Sequence, residues 1–174
     1  MTLILRGLFD KILCFSQPNF QTSYTHQFVM ELAQNQFVFD RVNLFLVIRG
    51  QQVLGAHTDI ILFQPEVVKT FRWTHPGARP VGNDTPSSIQ CPKCHRLRTT
   101  SPKFSEDPNS ITLKCSNCSW NEIFTIPVGF SWCQGEALTK GGERGAWLVK
   151  TEKNGDLTLG SGVVDTTGDN MEVS

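Results

Sequence analysis

No stretch of this chain stays apolar for the length a membrane span or a secretory leader requires. The most apolar opening, MTLILRGLFDKILCF, is broken by Arg6, Asp10 and Lys11. The expectation is a protein with no membrane partner that works inside the cell, in nucleus or cytoplasm. A dominant sign of charge is missing too: 16 Lys and Arg balance 16 Asp and Glu, so no whole-molecule field attracts polyanions or acidic membranes. Any such partner must be argued from local charge. The glycine-rich stretch KGGERG, residues 140 to 145, lacks the Lys-Ser/Thr ending of a phosphate loop and reads as a turn. There is no internal repeat beyond one doubled cysteine pair.

What is present suits a folded protein of one ordinary domain, or one domain with a small satellite, since 39% of the 174 residues are apolar. Phe28, Val29 and Leu32 recur at helical spacing in THQFVMELA, with Ser23 and Thr25 able to cap, which predicts a short helix over residues 25 to 33. The β-branched and aromatic run from Val42 to Ile48 stops at Gly50 and predicts a well-buried strand. A second strand is predicted at DIILF, residues 59 to 63, with GQQVLGAHT before it as a hairpin loop or the turn of an α/β unit. PEVVKTFRW, residues 65 to 73, fits either a helix or a third strand. HPGARPVGNDTPSSIQ, residues 75 to 90, holds three prolines and two glycines, which places a linker at 75–88. NEIFTIPVGFSW reads as one more strand, and Ala146 to Val149 as a last short one. Beyond Lys150 the chain has five acidic residues, one lysine and few aromatics, the composition of a disordered acidic tail at 151–174.

The most specific signal is CPKCHRLRTTSPKFSEDPNSITLKCSNCSW, residues 91 to 120. Zinc wants four thiolates in a tetrahedron, and each Cys-x-x-Cys turn offers two sulfurs from one tight loop. Cys91 and Cys94 form the first turn, Cys115 and Cys118 the second, separated by about the ~15–20 residues usual for such a site. A reducing compartment favours metal over disulfides, and one thioredoxin-like pair would need a β-α-β setting that is missing here. Iron remains open, because thiolate tetrahedra suit it as well. Between the turns RLRTTSPKF runs out as a strand, SEDPNS reverses and ITLKC returns, after which WNEIFTI leaves as a third strand.

This order of turn, strand, reversal, strand, turn, strand resembles the zinc-ribbon group, over residues about 89 to 128 only. The resemblance implies Cys91, Cys94, Cys115 and Cys118 as ligands of one structural Zn2+, and it carries a loose association with proteins that handle DNA, RNA and transcription machinery. His95 reads as a surface residue beside a complete thiolate quartet. Trp120 either packs in the ribbon's own core or offers a platform for a base.

The fold expected is α+β: a mixed α/β N-terminal part at 1–74, then a β-rich zinc ribbon with a β extension at 89–150, then the tail. Lys93, Arg96, Arg98, Lys103 and Lys114 outnumber Glu106 and Asp107 between the cysteine pairs, and Lys69, Arg72 and Arg79 extend the basic bias around Phe71 and Trp73. Cations interleaved with aromatics contact phosphates and stack bases, so a non-catalytic zinc protein working on nucleic acid is the leading functional expectation. A solvated strand face explains the same lysines and arginines equally well. Two further readings stand beside it. In an enzyme braced by the ribbon, Cys14 and His57 would be nucleophile and base, or His57, Asp59 and His75 a second metal site. In an interaction module, a protein partner would complete the N-terminal sheet, whose predicted helices are too few to cover it. Cys133 receives no role.

Overall fold

The computed structural model describes residues 10–17, 23–39, 43–76, 79–83, 90–133 and 145–153. The opening residues 1–9, part of the linker, the expected turn at 140–145 except Gly145, and the expected acidic tail from 154 onward lie outside them.

Two antiparallel sheets and a layer of short helices make an α+β fold. The first sheet has the order β1-β2-β3-β8-β7, with β1 at Ile12–Phe15, β2 at Ile60–Phe63, β3 at Val67–Thr74, β7 at Phe130–Trp132 and β8 at Ala146–Lys153. The second is a meander of β4 at Thr100–Phe104, β5 at Ser110–Cys115 and β6 at Asn121–Thr125. Among the described residues no helix is long and apolar enough to cross a membrane.

Register sorts the side chains of the larger sheet. Ile60 faces Phe71, Phe71 faces Val149 and Trp73 faces Trp147, so these residues share one face. Phe28, Val47, Ile48 and Leu54 bury that face. They come from α1 at Ser23–Ala33, α2 at Leu44–Gly50 and α3 at Gln52–His57. The predicted first helix is thus present, and one turn of π-helix at Gln34–Val38 follows it.

The strand expected from Val42 to Ile48 is instead a helix, in which Val47 and Ile48 are buried and Leu46 is exposed. That burial is one-sided at helical spacing. Asn43 starts it by accepting a hydrogen bond from Phe45 N at 3.2 Å. The apolar run Leu44–Ile48 suits a buried strand and a sheet-covering helix alike, and the sheet needed cover. GQQVLGAHT correspondingly is the second covering helix, α3, while PEVVKTFRW resolves as the strand β3.

Gly55 sets how closely α3 sits on the sheet. A Cβ there would lie 2.5 Å from the Trp147 ring and 2.6 Å from Trp73 Cβ, so only glycine permits this approach.

The chain does not leave the first sheet for good at the linker. NEIFTIPVGFSW, expected as one strand, is two in different sheets: β6 closes the ribbon, and β7 follows a turn at Pro127–Gly129 and pairs with β8. β8 was expected to extend the ribbon. It lies between β3 and β7 with eight residues in register along β3, and it continues to Lys153, three residues into the expected tail. Alternating apolar residues specify a strand but not its partner, which long-range packing selects.

Between the sheets lies a 3-10 turn at Pro80–Gly82. Val81 is fully buried there with Ile111 and Ala146, and Phe104, Phe124, Ile126 and Trp132 pack around them. The ribbon's inner face is therefore closed by a residue of the expected linker. Val81 holds φ 44°, a left-handed conformation that is rare for a β-branched side chain, so packing here overrides backbone preference.

Asp59 anchors the turn. Its carboxylate, 4% exposed, accepts from Arg72 Nε at 2.8 Å and Nη2 at 2.6 Å, and from Arg79 Nη2 at 3.2 Å. Arg79 also donates to Gly55 O at 2.9 Å, tying β2, β3, α3 and the turn into one partly buried polar network.

Candidate metal centre

The four cysteines enter the site from two loops that the ribbon strands aim at each other. In the first, Cys91 N donates to Arg96 O at 3.0 Å and His95 N to Cys91 O at 2.9 Å, closing a tight turn over residues 91 to 96. His95 and Arg98 take φ values of 57° and 54°, left-handed conformations in which His is among the more tolerated non-glycine residues. In the second, Cys115 N donates to Trp120 O at 3.0 Å, and Ser116 N donates to Thr99 O at 2.8 Å. That last bond joins the second loop to the strand leaving the first. Lys93 Nζ, which donates to Ser119 Oγ at 3.2 Å, links the loops from outside.

The outcome is four sulfurs within 4.8 Å of one another, the one such group among the described residues. Cys91 Sγ lies 3.7 Å from Cys118 Sγ, and Cys94 Sγ 3.7 Å from Cys115 Sγ. A tetrahedral ion with metal–sulfur bonds of ~2.3 Å requires sulfurs ~3.8 Å apart, whereas a disulfide requires ~2.05 Å. None of the six cysteines is joined in a disulfide. The spacing is one that could hold a metal ion and is compatible with a zinc-ribbon-like site.

Electrostatics point the same way. Cys115 is pulled down to about 6 by the Thr99 hydroxyl 3.3 Å from its sulfur, with the Asn117 and Cys118 amides assisting against burial. The Arg96 amide lowers Cys94. Cys118 gains from the Trp120 amide, yet burial and the three neighbouring thiols push it up to about 11. One thiol is poised to ionise while its neighbour resists. Four thiolates this close need a cation to coexist.

The remaining expected site residues fall into three groups. Lys93, Arg96 and Arg98 are exposed around the first loop, and His95 is exposed outside the sulfur cluster. Lys103 and Lys114 are exposed on the outer face of the ribbon, because Lys103 pairs with Thr112 and Ser101 with Lys114, opposite to the buried row of Ile111 and Leu113. Trp120 is half-buried, and the tryptophan in the core beside the ribbon is Trp132, whose Nε1 donates to Asn109 Oδ1 at 3.0 Å.

Two of the three upstream cations are engaged inside the fold. Arg72 and Arg79 are spent on Asp59, and Phe71 and Trp73 are buried under the helices. Nor do His57, Asp59 and His75 form a second metal site: His57 stacks on Tyr24 at 4.3 Å, His75 stacks on Trp73 at 5.5 Å, and the Asp59 carboxylate faces the two arginines. Cys14 lies in β1 opposite Ile61, and Cys133 is buried, with its N–H donating to Trp147 O at 2.9 Å. Sequence reasoning missed Thr99 as a partner of the site. Its signal was weak, since a threonine five positions past a cysteine becomes adjacent to the other pair only once β4 and β5 are in register.

Comparison of the chain with protein-family models, with curated proteins and with solved structures yields no match.

Proposed function

We propose that the protein is a non-catalytic zinc-binding scaffold whose metal end engages nucleic acid. The single observation carrying this reading is the cluster of four sulfurs within 4.8 Å of one another, with two pairs at 3.7 Å. Zinc is the ion best suited to four thiolates in a closed shell, and a closed shell braces structure without activating water. Here the brace fixes both loops and so completes the ribbon, whose inner face then closes over Val81.

The nucleic-acid part rests on charge at that end. Neither loop contains an acidic residue, while Lys93, Arg96, Arg98 and Lys114 surround them; Glu106 and Asp107 lie at the far reversal. Zinc with four thiolates carries two net negative charges, so part of this basic collar balances the centre itself. The four cations exceed that need, and the surplus is available to phosphates.

Elemental analysis of purified protein should find one zinc per chain; iron, or a folded protein without metal, removes the zinc reading. Fluorescence anisotropy with labelled single-stranded and duplex DNA should show binding that weakens between 50 and 200 mM salt. Substituting Arg96 and Arg98 by Ala should lower the slope of log K against log salt by up to ~1.4–1.8. Binding indifferent to salt and to both substitutions leaves the scaffold without this partner. If the ribbon instead braces an enzyme, replacing His57 or Cys14 would abolish a chemical activity; loss of stability alone marks them as packing residues.

A further inference from the structure

A polar cavity of about 360 Å3 opens where β1 and α3 end beside β3. Ser16, His57, Asp59, Arg72 and Arg79 stand on its wall, and among the described residues Ala56 is the one apolar residue of the lining. Sites for drug-sized ligands are mostly apolar, so a polar hole at the small end of the usual size range suits a small charged guest.

Burial orders the charges. The Asp59 side chain is 4% exposed and those of Arg79 and Arg72 are 11% and 24%, so an entering group meets guanidinium before carboxylate. The pairing with Asp59 also leaves part of Arg72 over. Of its five N–H groups, that on Nε and one on Nη2 go to Asp59, and one on Nη1 reaches Gly82 O only at 3.4 Å. Two remain for a guest. The Phe130 ring, with its centroid 4.8 Å from the guanidinium carbon, holds that plane in place. Arg79, held on Gly55 O and Asp59, contributes positive charge and needs no further bond.

The end of β1 supplies a hydroxyl. Ser16 Oγ accepts from Asp59 N at 2.9 Å. Thr58 Oγ1 gives its single proton to Asp59 O at 3.1 Å and accepts from Gln17 N at 3.2 Å, which leaves the Ser16 proton a loose 3.4 Å contact with Thr58. That proton is able to turn to an oxygen in the cavity. The exposed His57 imidazole, stacked on Tyr24, adds a ring N–H to the lining.

We propose that this cavity binds a phosphate group, either as the free ion or on a small phosphorylated ligand. Guanidinium, hydroxyl and imidazole arrive from β3, the end of β1 and the end of α3, which suits an ion with three or more oxygens to share among them; a flat carboxylate has two. The Asp59 carboxylate opposes a dianion and keeps binding weak.

Two-dimensional 1H–15N NMR of the full chain, titrated with sodium phosphate to about 20 mM at constant ionic strength, tests this. The Gln17, Thr58 and Asp59 amides should shift saturably with a Kd of about 0.1–5 mM, and sodium acetate should bind at least ~10-fold more weakly. Arg72→Lys keeps the charge but not the fork, and should weaken phosphate binding at least ~10-fold. Ser16→Ala should weaken it by about 3- to 10-fold, and decides alone if circular dichroism shows that Arg72→Lys does not fold. The double variant Arg96→Ala and Arg98→Ala should keep the parental phosphate Kd, so this site and the nucleic-acid reading of the metal end fail independently. Shifts that follow ionic strength alone overturn the inference, as do acetate binding as tightly as phosphate, a parental Kd in Ser16→Ala or in folded Arg72→Lys, and loss of binding in the double variant. Phenyl phosphate separates the two sources: binding of both compounds assigns a phosphorylated ligand, binding of phosphate alone the free ion, and either result sustains the inference.

Discussion

Removing one hydroxyl should move the pH at which the four-cysteine site releases a metal ion loaded into it. Protons and metal compete for the same sulfurs, so affinity must fall as pH falls; the steepness at each pH counts the thiols that are still protonated in the metal-free chain. Cys118, at about 11, must lose a proton to bind anywhere below that value, and so contributes about one decade of affinity per pH unit across the neutral range. Cys115, at about 6, is already ionised at pH 7 and adds its own decade per unit only below 6. The plot of log K against pH should therefore steepen below about pH 6. Thr99 is the largest cause of the low Cys115 value, and its hydroxyl can also reach Arg96 O at 3.3 Å, so ionisation of Cys115 selects which acceptor it uses. In Thr99→Val that donor is gone and Cys115 moves up toward the ordinary 9.0. Proton competition at pH 7 then weakens metal binding by up to about 100-fold, and the break moves above neutrality. Competition with a chromophoric chelator between pH 5.5 and 8.5 measures both quantities. Superimposable profiles for parent and variant, or an affinity that rises on acidification, would refute the account of the site.

Three further outcomes follow from the packing. Gly55→Ala should destabilise by about 1–3 kcal/mol in denaturant melts, because the added methyl meets Trp147 and Trp73; helix propensity alone forecasts a gain of ~1 kcal/mol, so the sign decides. Asp59→Asn should cost about 3–5 kcal/mol by leaving Arg72 and Arg79 facing a neutral amide in a buried network, read as a drop in Tm of roughly 6–20 °C. His95→Gly should stabilise the metal-loaded protein by about 1 kcal/mol by relieving a left-handed residue, with metal stoichiometry unchanged; loss of metal would make His95 a ligand after all.

The helix at Leu44–Gly50 shows where one-dimensional reading stopped. Its seven residues satisfy a buried strand and a covering helix equally, and the choice fell to a sheet face that had to be buried by something. Arg72 and Arg79 were read without their partner for a related reason. In the sequence they are basic residues near aromatics; in the fold they are the counter-ions of a carboxylate 13 and 20 positions away. By contrast Pro102, disfavoured inside a sheet, did not mislead, since β4 is an edge strand, the position in which proline is tolerated.

The sequence by itself determined the local parts: two cysteine turns at metal-binding separation, the three ribbon strands between and after them, and the helix over α1. Each is written in residues a few positions apart, where turn geometry and side-chain period decide. Only the tertiary structure decided that β7 and β8 return to the first sheet, that Val81 closes the ribbon's inner face, and that Thr99 reaches Cys115. Those contacts join residues far apart in the chain, and they are selected by which apolar faces remain to be covered once the local elements have formed.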